Sequence, residues 1–323
     1  MHPTELDMTL SGVALRVEQL AKRFGDVVAV DDLTLDVCDG EVFGFLGPNG
    51  AGKTTSINMM CGLLKPDRGQ VFIHGQRMDG GSVAVRVRVG VCPQNIVLWG
   101  TLTCIEQLVF IGEMYGVPRR VARQRGESLL ETMGLLDKRD RLARMLPGGM
   151  QRRLNLIMAL VHDPDILVLD EPEAGLDPQS RVLVREYIRS LARKKTVILT
   201  THNMDEADRV ADRVAIIDRG RVLALDASET LKRRVGEGDV LEIEVIGGLD
   251  LDISCAATVV ARIVPDVSTL GRTLVVRGRG AVAQLPAVLD ALHTAGLQPG
   301  DVRLRENTLE DVFIALTGRR LRE

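Results

Sequence analysis

Between about positions 15 and 235, short runs of aliphatic and β-branched residues alternate with longer stretches whose apolar residues recur at helical spacing. Parallel strands covered by helices on both faces read as unbroken apolar runs, so this alternation predicts an α/β domain with a mostly parallel sheet. Strands are predicted at 42–46, 166–169, 196–200 and 214–217. From about 103 to 162 such runs are missing, which predicts an inserted helical subdomain, set at about 95–163. The charged segment 232–239, with its two glycines, marks a boundary, giving domains at 13–235 and 236–323. Beyond it come strands at 240–245 and 273–276, a helix over 282–295, a strand at 302–304 and a closing helix from Thr308. Thr308 and Asp311 form a capping-box pattern ahead of the apolar stripe Val312, Ile314 and Leu316. The second domain therefore reads as small, α+β and ferredoxin-like in pattern.

Composition narrows the function. The chain has 323 residues, 45% hydrophobic and 26% charged, enough for two buried cores. Its formal net charge of -3 offers no broad basic field, so no nucleic-acid partner is expected. The five cysteines, Cys38, Cys61, Cys92, Cys104 and Cys255, are scattered without metal-site spacing and read as reduced thiols, mostly small core residues. The first twenty positions are interrupted by Glu5, Asp7, Arg16 and Glu18 and so lack the core of a signal peptide. No apolar run reaches the roughly 18 residues that span a bilayer. Any role in a membrane process is expected to act through docking.

The strongest chemistry lies in Gly47-Pro48-Asn49-Gly50-Ala51-Gly52-Lys53-Thr54-Thr55, between an apolar strand and a helix. Glycines at this spacing let successive N–H groups curl around phosphate oxygens, and the helix adds its positive N-terminal dipole. Lys53 is expected to bridge the β- and γ-phosphates of ATP and Thr54 to ligate Mg2+. A buried-type strand ends in Asp170-Glu171. Asp170 is expected to hold Mg2+ through water, and Glu171 to polarise the attacking water. Taken alone, such a strand end is commonly a solvated turn; beside a phosphate loop it becomes a catalytic candidate.

With these motifs in order, about the first 235 positions resemble the nucleotide-binding subunits of ABC transporters, and a P-loop NTPase cassette is the fold this implies. The resemblance assigns Gln94 as the glutamine that senses Mg2+ and water, 146–151 as the signature motif with Gly148 and Gly149, Asp177 to the D-loop and His202 to the switch position. Phe24 falls where an aromatic ring stacks on adenine. His2, His74, His162 and His293 receive no role. The family signature usually has Ser where this chain has Pro147, and Thr where it has Glu173. The first departure is expected to slow hydrolysis while a helical first turn tolerates the proline; the second adds negative charge of undetermined effect.

The segment from Leu309 to Gly318 resembles the C-terminal extension of the daunorubicin-resistance type of ABC ATPase. The implied protein is an ATP-hydrolysing subunit at the cytoplasmic face of the membrane, powering export of a drug, lipid or other hydrophobic compound. A separate permease chain and a second ATPase subunit, identical or different, are the implied partners. In the implied head-to-tail pair, one subunit's signature covers ATP on the other's phosphate loop. Trp99 is read as a contact for the permease, with core packing as the equal alternative. DNA-repair and translation relatives fit less well: sustained heptads and a second cassette are both missing. A regulatory module that closes on nucleotide with weak hydrolysis is the alternative reading, favoured by Pro147 and opposed by Glu171 and His202.

Overall fold

The protein is described by a computed structural model covering residues 12–78, 83–235, 239–246, 250–278 and 280–318. Two compact units result, divided between Ala227 and Ser228.

In the first unit, a six-stranded sheet runs β10 (Arg221–Asp226), β9 (Arg213–Asp218), β3 (Val42–Leu46), β8 (Thr196–Thr201), β7 (Ile166–Asp170), β6 (Val89–Cys92). Its neighbours are parallel except for the β9–β10 hairpin. Successive side chains on a strand point to opposite faces, and both faces are buried here. β7 accordingly sends Ile166 and Val168 into one hydrophobic cluster and Leu167 and Leu169 into another. The first cluster lies under a four-stranded antiparallel sheet ordered β2 (Val27–Cys38), β1 (Val13–Phe24), β4 (Arg68–Ile73), β5 (Gln76–Arg77), and includes residues of α1 (Lys53–Met60). Short α2 (Val83–Arg86) leads into β6.

The second cluster joins the sheet to the helical insertion, α3 (Cys104–Met114), α4 (Arg119–Thr132) and α5 (Gly148–Met158), and to α6 (Pro178–Leu191). α3 starts at Thr103, whose hydroxyl accepts from the Glu106 N–H while the Glu106 carboxylate accepts from the Thr103 N–H, satisfying two otherwise orphaned donors. α7 (Met204–Val210) follows β8.

The second unit begins with α8 (Ser228–Val235), which packs against α11 (Leu309–Thr317). That packing moves the division ahead of the boundary expected after Val235. Between these helices run β11 (Asp239–Ile246), α9 (Asp250–Val260), β12 (Asp266–Leu270), β13 (Thr273–Gly278), α10 (Ala281–Thr294) and β14 (Gln298–Arg305). The sheet is antiparallel with order β12-β13-β11-β14, the ferredoxin-like arrangement. Its core gathers Leu241, Ile243, Leu274 and Val276 from the sheet with Ala256, Val260, Val288 and Leu292 from α9 and α10. Thr308 and Asp311 form the capping box read from the sequence. Although burial raises the Asp311 pKa, hydrogen bonds from Arg305 and Thr308 hold it well below the usual carboxylate range.

Candidate functional site

β3 delivers the chain into the phosphate loop at the carboxyl edge of the sheet, where parallel strands bring their functional groups. Two glycines are sterically required. A Cβ at Gly47 would stand 2.4 Å from the Ile217 carbonyl oxygen, and one at Gly52, where φ is +99°, would stand 2.3 Å from that of Ala29. α1 starts at Lys53 with no side-chain cap and no acidic residue in its first turn, leaving its N-terminal dipole open to an anion. The buried Lys53 ammonium donates to the loop's own carbonyls, at 2.7 Å to Gly47 and 3.0 Å to Pro48. Burial lowers its pKa, against the opposing pull of Glu171 and Asp170.

The acidic residues close the other side. Thr54 donates to Asp170 Oδ2 at 3.2 Å, and the Thr200 hydroxyl donates to Asp170 Oδ1. That hydroxyl also accepts from the Glu171 N–H at 3.0 Å, so one side chain of β8 organises both carboxylates. Glu171 is held in the left-handed region at φ 51°, a strained conformation for a non-glycine residue of the kind found where side-chain aim matters. Its carboxylate lies 2.7 Å from His202 Nδ1 and 4.0 Å from Lys53 Nζ.

These groups border a cavity of about 360 Å3 lined by Phe24, Val27, Val28, Ala29, Asn49, Gly50, Gly52, Lys53, Thr54, Thr55, Gln94, Asp170 and Glu171. Phe24 is 51% exposed at its rim, with the Lys22 ammonium over its ring at 5.7 Å from the centroid. Gly47, Pro48 and Ala51 shape the loop from behind, Ala51 being buried. His202 reaches the site through Glu171.

Gly148, Gly149 and Asp177 are not among the residues lining this cavity. They form a surface of their own. A Cβ on Gly149 would lie 3.4 Å from Asp177 Oδ2. Asp177 caps α6 by accepting from the Ser180 N–H and hydroxyl, and those bonds lower its pKa. Pro147 occupies the N-cap of α5, one position before the first turn where sequence reasoning put it, and gives that helix no side-chain cap. Space beside the Gly148 α-carbon is open.

Sequence reasoning missed Arg152. This buried guanidinium on α5 donates to five backbone carbonyls: Pro93 and Gln94 at 2.8 Å, Asp170 at 2.8 Å, Glu171 at 2.6 Å and Pro172 at 3.3 Å. One side chain thus ties α5 to the Gln94 segment and the acidic strand end. Its place four residues after a helix start, among neighbouring arginines, offered no distinguishing signal. The charge of Glu173 also finds its context here: Arg185 bonds it at 3.0 and 3.3 Å, and Arg181 stands 3.8 Å away. Trp99 is 39% exposed, its ring edge-on to Phe110 with centroids 5.2 Å apart.

A glycine-rich loop, a buried lysine and an Asp-Glu strand end on a parallel sheet, with a helical insertion, define a P-loop ATPase cassette. The ABC transporter family model matches residues 30–174. The Nod factor export ATP-binding protein I of Ralstonia nicotianae is 42% identical over 311 residues, 96% of this chain and 95% of that protein. The daunorubicin resistance ATP-binding protein DrrA3 of Streptomyces coeruleorubidus is 38% identical over 317 residues, covering 97% and 99% of the two chains. A solved ATP-binding subunit of an ABC transporter, 29% identical, superposes with a TM-score of 0.64 over 68% of this chain and 92% of its own. This chain belongs to the ABC transporter ATP-binding proteins of the drug-exporter type: it binds ATP and is an ATPase that powers export. Among the described residues no helix is long and apolar enough to cross a membrane.

Proposed function

We propose that the cavity binds ATP with the adenine on Phe24 and the phosphates in the 47–55 loop, and that Glu171 activates the attacking water. The observation that carries this reading is the Glu171 carboxylate, held 2.7 Å from His202 and 4.0 Å from Lys53 beside the loop. Lys53 leaves its carbonyl partners for the phosphates when nucleotide enters. Thr54, Asp170 and Gln94 offer hydroxyl, carboxylate and amide oxygens, a hard donor set that fits Mg2+, which supplies charge neutralisation on the phosphates when bound. In the reaction the water oxygen bonds to the γ-phosphorus, the bond to the β–γ bridging oxygen breaks, and Glu171 takes the water's proton. His202 keeps the carboxylate aimed.

The signature residues Gly148 and Gly149, with Asp177, serve the other half of a head-to-tail pair, either a second copy or a different cassette. Their absence from the chain's own cavity lining supports this division of labour. The exposed Trp99 meets a permease on a separate chain, and the assembly works at the cytoplasmic membrane face. The names of the relatives support a hydrophobic or lipid-like cargo. The regulatory alternative is not favoured, since the Glu171–His202 pair is intact. Steady-state ATPase of the permease complex tests the assignment: Glu171→Gln should retain ATP binding and lose about 100-fold or more in turnover, as expected for a general base. Equal turnover in both proteins would sink it.

A further inference from the structure

The ferredoxin-like sheet leaves β14 as an edge strand: among the described residues it pairs with β11 on one side and with no strand on the other. An open edge presents unpaired N–H and C=O groups, and proteins ordinarily blunt such edges with charge, proline or a covering segment. β14 carries Pro299, Asp301, Arg303 and Arg305, but among the described residues no strand lies beyond it. Val302 pairs in register with Ile243, and Leu304 with Leu241, so both stand on the core face of the sheet, yet they are 37% and 56% exposed while their partners are buried. Asp301 and Arg303 alternate with them on the opposite face, both exposed.

We propose that β14 is a self-recognition edge, at which a second copy of this chain adds its own β14 antiparallel about a two-fold axis through Val302. The charge order selects this register. With the axis at Val302, Asp301 of each copy faces Arg303 of the other, giving two opposite-charge cross-strand pairs. An axis at Asp301 sets aspartate against aspartate, and one at Arg303 sets arginine against arginine, both repulsive. An axis between residues places apolar against polar positions across the two faces. In the favoured register the two Val302 side chains meet on the axis, and the ladder is short, because β14 shifts register between Val302 and Pro299. Pro299 lacks an N–H donor and so ends the ladder. The contact is isologous and closes at two chains. Nothing in it requires nucleotide, which separates it from closure of the cassettes.

The test uses the full-length, nucleotide-free protein in analytical ultracentrifugation and oxidative cross-linking. The wild type should show a concentration-dependent dimer. Asp301→Arg and Arg303→Asp should each weaken it about tenfold or more, the effect of about 1.4 kcal/mol, and the double swap should restore it. With Cys255→Ser as background, Val302→Cys should form an intermolecular disulfide without ATP, whereas Thr269→Cys on the opposite edge strand should not. Circular dichroism should be unchanged, as all the altered charges are exposed. A chain that stays monomeric without nucleotide, single reversals that leave the dimer intact, or a double swap that fails to restore it would each overturn the proposal.

Discussion

Pro147→Ser separates helix stability from phosphate chemistry at the signature. In the structure α5 lacks a side-chain N-cap, and Pro147 sits there with φ −56° and ψ 152°, angles a serine adopts readily. A serine cap contributes about 0.5–2 kcal/mol. Losing proline loosens the unfolded chain and costs about 0.4–1 kcal/mol. The two nearly cancel, so the melting temperature should move by no more than about 4 °C for a unit of this size. The hydroxyl also restores a donor beside the open space at Gly148, facing the other subunit's γ-phosphate in the proposed pair. A hydrogen bond to a charged group is worth about 1.5–3 kcal/mol, so kcat/KM of the permease complex should rise about tenfold to a hundredfold. If the bond forms equally with bound ATP and in the transition state, the gain appears in KM; otherwise it appears in kcat. Phosphate release assays on wild type, Pro147→Ser and Pro147→Ala distinguish the effects, because alanine supplies no hydroxyl and should stay slow. Identical rates for all three would refute the argument.

Arg152→Met leaves five carbonyls, three of them in buried contacts, without their donor and should cost about 3 kcal/mol or more in chemical denaturation, with ATPase falling too; Arg152→Lys should recover part of both. A stable, fully active Arg152→Met would show that the guanidinium is incidental. Trp99→Ala should reduce permease co-purification while soluble ATP binding persists; loss of folding would instead place the ring in the core. His162, stacked on Tyr115 at 3.8 Å, has its pKa pushed down to about 4, chiefly by burial. The unfolded chain binds the proton more readily, so stability is full above the unfolded value of about 6.5 and declines as pH falls toward about 4. Urea midpoints across that range should flatten in His162→Gln; an unchanged slope would contradict this.

Much of the fold was legible because local rules govern it. β3, β7, β8 and β9 read directly, since strands buried on both faces must be apolar throughout. The antiparallel β2-β1-β4-β5 sheet went unread, its strands mixing charged positions with repeated register shifts that blur the alternation. α9 was missed as well, because its β-branched residues Ile253, Thr258, Val259 and Val260 mask helical spacing. Within the site, the phosphate loop and Asp170-Glu171 announced themselves because backbone curvature and phosphate chemistry demand particular residues at fixed spacing.

By itself, the sequence determined that the chain carries a glycine-rich loop of phosphate-binding spacing, an acidic strand end and a second, α+β domain, all properties of neighbouring residues. Tertiary packing alone decided that Thr200 organises both carboxylates, that Arg152 joins α5 to the site, and that Arg185 neutralises Glu173. The partners in these bonds lie far apart along the chain. A buried charge or carbonyl takes whichever partner the fold brings within reach, and that choice is written in packing rather than in local pattern.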